Sequence, residues 1–196
     1  MPMMFFAILL VTMFAALIGE HFIGPLAPHG VRVLLMPMIM FYGALALPLP
    51  GMLALAFCGG LMWDALHTNM ALVWSADQTQ LLDVNVEVAL GWSIIVYALL
   101  GALLNGFRPL FQRGRWDIHA LLAGLGTALI VLLEYLMLTF RREPVVFVFD
   151  QEIWWRIGGA GLVAALLAPL FFFVLNYVAF LSGYESQPAR GTARSR

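Results

Sequence analysis

Charge is absent from long stretches of this chain, and that absence constrains the fold more than any motif. No charged residue occurs in Met1–Gly19, in Val33–Trp63, in Val88–Phe107 or in Ile157–Tyr184, and Ile118–Phe140 is broken only by Glu134. A span of the hydrocarbon core takes about 20 apolar residues. In lipid, a segment must satisfy its own backbone hydrogen bonds, which selects helices. The runs do not alternate apolar with polar, as barrel strands do. Charged residues make up 11% of the chain and hydrophobic ones 63%. A soluble domain carries roughly 25% charge, and one this apolar would expose patches that monomers avoid. The expectation is an all-α, polytopic membrane helix bundle.

Dividing the runs at proline, glycine and charge predicts six transmembrane helices. The first is Met1–Gly19, stopped by Glu20. It lacks the basic n-region and the small-x-small site of a signal peptide, so it reads as an uncleaved span. Val33–Trp63 is too long for one span, and Pro48, Pro50 and Gly51 mark a turn inside it. Helix two is then about Val31–Leu49 and helix three about Gly51–Leu66. Val88–Phe107, Ile118–Phe140 and Ile157–Tyr184 supply helices four to six. Residues 75–87 are polar and acidic, either a loop or a surface helix. Trp154-Trp155 suits the headgroup belt. Residues 1–184 therefore read as a single transmembrane domain, and 185–196 as a disordered, basic cytoplasmic tail.

All ten basic residues are arginine. With the N-terminus inside, the cytoplasmic pieces hold Arg108, Arg113, Arg115, Arg190, Arg194 and Arg196, against Arg32, Arg141, Arg142 and Arg156 outside. The positive-inside rule applied to these short loops gives N-in and C-in. A net charge of -1 does not suit nucleic-acid binding. Cys58 is the only cysteine, so no internal disulfide forms.

Two acids fall within spans, Asp64 and Glu134. Such groups cost roughly 3 kcal/mol on insertion scales and mark either a buried polar site or a helix end reaching interfacial water. Asp64 lies 13 residues after Gly51 and Glu134 16 after Ile118. A rise of 1.5 Å per residue puts both roughly 20 Å from the inner face, in one layer, with His67 a turn beyond Asp64. The chain has no HExxH and no GxSxG. The four histidines, His21, His29, His67 and His119, have no ligand spacing. The reading is non-enzymatic, with no metal and no cofactor. Small residues let helix backbones approach closely. They occur at Ala15 and Gly19, at Ala56, Gly59 and Gly60, and at Ala98, Gly101, Ala102 and Asn105. Others are Gly124 and Ala128, and the Gly158–Gly161 run.

In the middle of the chain, Pro37 and Met38-Ile39-Met40-Phe41-Tyr42-Gly43-Ala44-Leu45-Ala46-Leu47-Pro48 lead into Ala54-Leu55-Ala56-Phe57-Cys58-Gly59-Gly60-Leu61-Met62-Trp63-Asp64. Leu90-Gly91, a helix containing Tyr97, and Arg108 follow. This order resembles the MreD family of rod-shape-determining membrane proteins over roughly residues 31–180. It departs from the family in the longer acidic segment between Asp64 and Leu90-Gly91. The resemblance implies a scaffold in the bacterial cytoplasmic membrane. Its partner would be an MreC-like bitopic protein, and through it the actin-like MreB and the elongation synthases. It also implies an architecture similar to the six-helix substrate-binding subunits of energy-coupling-factor transporters. A small-molecule-binding transporter subunit is therefore the alternative, with Trp63, Asp64, His67, Trp74 and Glu134 lining a pocket. The candidate structural or partner-binding residues are Gly60, Asp64, Gly91, Arg108 and Glu134. Asp64 is expected to accept hydrogen bonds from a neighbouring helix or loop, with Gly60 beside it fixing helix three.

Overall fold

A computed structural model describes residues 2–23, 31–67, 91–107, 116–140 and 151–184. These residues form six helices: α1 (Pro2–Phe22), α2 (Met36–Ala46), α3 (Leu49–His67), α4 (Trp92–Phe107), α5 (Trp116–Phe140) and α6 (Gln151–Leu181). The tail after Tyr184, Arg108 and the acidic segment 75–87 lie outside the described residues.

Four of the helices, α1, α3, α5 and α6, are long and apolar enough to cross a membrane. Their outward faces are as apolar as their inward ones. On α1, Phe5, Leu9 and Met13 are buried at four-residue spacing, while Val11, Phe14 and Ile18 are exposed. Exposed leucines also recur at i, i+4 as Leu121, Leu125 and Leu129 on α5 and as Leu162, Leu166 and Leu170 on α6. A soluble bundle would place polar residues there. This is the make-up of a multi-pass membrane protein.

α2 is the hub. It packs against every other helix, and every described position in it except Leu45 is buried. It is 11 residues long, about 16 Å at 1.5 Å per residue, roughly half a bilayer core. The expected Val31–Leu49 helix is therefore shortened at both ends. Residues Val31–Leu35 run in non-helical backbone, and Val31 packs on α6 where Gly159 leaves room. At the other end Leu47 is extended, and Pro50 and Gly51 belong to the first turn of α3 rather than to a loop. Proline is tolerated in a first turn because its missing amide would have no intrahelical partner. Pro37 sits in the same place in α2.

A short helix inside an apolar interior must find partners for its terminal amides and carbonyls. Other helices supply them. At the N-terminus, the amides of Leu35 and Met36 both donate to Glu20 Oε1, at the end of α1; the Met36 bond is 2.5 Å. At the C-terminus, Asn105 Nδ2 of α4 donates to the carbonyls of Ala44 (2.8 Å) and Leu47 (3.1 Å). Tyr184 Oη donates to the carbonyl of Ala46 at 3.0 Å. Tyr184 is itself held by the end of α6. Gly183 takes a left-handed φ of 65°, and the amides of Gly183 and Tyr184 bond back to Phe180 and Ala179, a Schellman termination. The ring of Tyr184 stacks on Phe5, centroids 4.3 Å apart.

Candidate functional site

The chain runs up and down. The last turns of α1, α3 and α5 therefore gather at one end of the bundle with the first turns of α2, α4 and α6. Among the described residues, that end holds the interior charge: Glu20, Arg32, Asp64, Glu134 and Arg156.

Asp64 is 1% exposed. Its Oδ2 accepts the amide of Gly91 at 2.6 Å, so α3 caps the start of α4, as α1 caps the start of α2. A carboxylate at a helix N-terminus satisfies an orphan amide and faces the positive end of the helix dipole. Gly91 has φ +99°, a conformation costly for any residue with a Cβ. Gly60 lies one turn before Asp64. A Cβ there would stand 2.5 Å from both the Cα and the N of Ile94, so α3 and α4 are in backbone contact at this point. Glycine at 60 permits the approach that brings Asp64 to Gly91.

Trp63, Asp64, Trp92, Ser93, Val96, Tyr97, Ile130 and Glu134 line a cavity of about 20 Å³. A second cavity, about 10 Å³, lies between Arg32, Trp63, Glu134, Arg156 and their apolar neighbours. Glu134 thus faces both, and it stands in electrostatic reach of Arg32 on one side and Asp64 on the other. Trp63 meets Tyr97 edge to face, centroids 6.3 Å apart. Arg156 binds Glu152 one turn earlier at 2.5 Å.

Four of the five residues singled out from the sequence, Gly60, Asp64, Gly91 and Glu134, therefore meet at one end of the bundle. The fifth, Arg108, lies outside the described residues, as does Trp74. Asp64 and Glu134 share a layer, and Asp64 accepts a bond from the residue opening the next helix. Glu20, Arg32 and Tyr97 belong to the same layer and were not singled out. The available signal for Glu20 was its place at the end of a span, which is the position Asp64 holds in α3. Among the described residues, no group of three or more histidine, cysteine, aspartate or glutamate side chains could hold a metal ion.

No family model, curated protein or solved structure matches the chain.

Proposed function

We propose that this chain is a non-enzymatic membrane scaffold of the bacterial cell-wall elongation machinery that binds an MreC-like bitopic partner. Through that partner it meets MreB and the elongation synthases. In this reading all six helices cross the cytoplasmic membrane, N-terminus and C-terminus inside. The non-helical Val31–Leu35 segment completes the crossing that α2 is too short to make.

The observation that carries the reading is how the buried carboxylates are used. Glu20 and Asp64 hold the amides that open α2 and α4. The cavity that Asp64 and Glu134 line, about 20 Å³, has room for a water. The polar interior serves to fix helices, as a scaffold requires. The order of motifs around Asp64 that resembles the MreD family supports the choice of partner.

The test is a pull-down. The chain carries a C-terminal tag, is extracted from native membranes in mild detergent, and its stable partners are identified. Recovery of an MreC-like protein with wall synthases is the expected result. A transporter ATPase module or a bound metabolite in its place overturns the reading.

A further inference from the structure

The α3–α4 and α5–α6 pairs are the two most extensive helix pairings in the bundle, and the pairs meet each other chiefly through α2. The exception is the cavity at the charged end. Trp63 and Asp64 of α3, with Ser93, Val96 and Tyr97 of α4, form one wall, and Ile130 and Glu134 of α5 form the other.

Two polar atoms in that wall are buried without a hydrogen-bond partner among the described residues: Asp64 Oδ1 and Tyr97 Oη. Tyr97 is 1% exposed. A buried hydroxyl left unbonded is costly, and a space lined by Tyr97 with Asp64 and Glu134 calls for an occupant. The space, about 20 Å³, exceeds the roughly 10–15 Å³ that one water needs.

Donors and acceptors then balance. Asp64 Oδ1 and a Glu134 carboxylate oxygen accept, and the Tyr97 hydroxyl donates. A water has two hydrogens for the carboxylates and a lone pair for the phenol. Three bonds are what buried waters typically make. We propose that a single ordered water occupies this cavity, donating to Asp64 and Glu134 and accepting from Tyr97. It forms a polar joint between the α3–α4 and α5–α6 pairs.

The test is thermal unfolding of the full chain in detergent. If the water is present, Tyr97→Phe strips it of its donor, and Tm falls by about 2–4 °C. If the cavity is dry, Tyr97→Phe removes an unbonded hydroxyl, and an unchanged or higher Tm overturns the proposal. A second comparison asks whether the hydroxyl acts through α5. In a Glu134→Leu background the Tyr97→Phe penalty shrinks to near zero if both hold one water. A full penalty there overturns the joint. Should Glu134→Leu fail to fold, the single Tyr97→Phe variant still decides. Replacing sodium chloride with choline chloride leaves Tm unchanged if the occupant is water. A sodium-dependent rise that Tyr97→Phe abolishes would make it a cation and overturn the proposal.

Discussion

The carboxylate of Asp64 and the amide of Gly91 lie 2.6 Å apart, although 27 residues separate them in the chain. Their bond closes the charged end of the α3–α4 pair. Removing the acceptor with Asp64→Ala leaves an orphan amide at the start of α4. Losing such a cap costs about 0.5–2 kcal/mol. Thermal unfolding in detergent is expected to show the loss, and recovery of the partner complex is expected to fall with it. Asp64→Asn keeps an oxygen in place and should retain part of the stability.

Gly91→Ala tests the same contact from the other side. No atom lies within 4 Å of the Cβ it would add, so crowding plays no part. The φ of +99° is the whole cost. A left-handed backbone costs about 1–2 kcal/mol for an L-residue, and the same unfolding experiment reads it. An unchanged Tm would mean that the turn before α4 relaxes freely.

Glu20→Ala is expected to cost more than Asp64→Ala, because one Glu20 oxygen serves two amides, those of Leu35 and Met36. Each amide left unsatisfied in an apolar interior costs about 1–3 kcal/mol. Glu20→Gln retains a carbonyl oxygen and should recover more than half of the loss. Equal Tm values for Glu20→Ala and the unaltered chain would remove the cap from α2.

What the sequence discloses and what it hides divide along a physical line. Helices in lipid are set locally, by where charge is missing, so all six elements could be read from the runs. The shared layer of Asp64 and Glu134 follows from rise per residue alone. The limits of α2 are not local. Its N-terminus is held by a carboxylate from α1, and its last carbonyls by Asn105 and Tyr184, residues more than fifty positions downstream. No pattern within Val33–Trp63 announces partners that arrive by folding. Pro48, Pro50 and Gly51 do announce a break, but proline is as welcome in a first turn as in a loop, which moved the start of α3 back to Leu49. An acid that ends an apolar run, as Glu20 does, reads as a boundary until a helix is seen to begin against it.

The two adjacent glycines of α3 should respond differently to alanine. At Gly60 the new Cβ meets the backbone of Ile94, which moves only if α4 moves. Overpacking of this kind costs about 1–3 kcal/mol, and it also draws Gly91 away from Asp64. At Gly59 the nearest atoms are the Cε of Met36 (2.7 Å) and the Sδ of Met13 (2.8 Å), and methionine side chains adjust readily. Gly60→Ala is therefore expected to lower Tm clearly more than Gly59→Ala. Comparable losses would show that α3 and α4 can part without penalty.

The α5–α6 crossing rests on a reciprocal pair. A Cβ on Gly124 would lie 2.9 Å from the carbonyl oxygen of Gly161, and a Cβ on Gly161 would lie 2.8 Å from the carbonyl oxygen of Gly124. Ala165 and Ala128 close the contact from either side, the small-residue packing that brings membrane helices together where no hydrophobic force does. Gly124→Leu forces the two backbones apart, and so does Gly161→Leu. Each alone is expected to cost the 1–3 kcal/mol of overpacking or more. Once one leucine has opened the crossing, the second meets little resistance. The double variant should therefore lose much less than the sum of the two singles, a departure from additivity that residues in contact show. Strict additivity in thermal unfolding would mean that the two glycines do not share a contact.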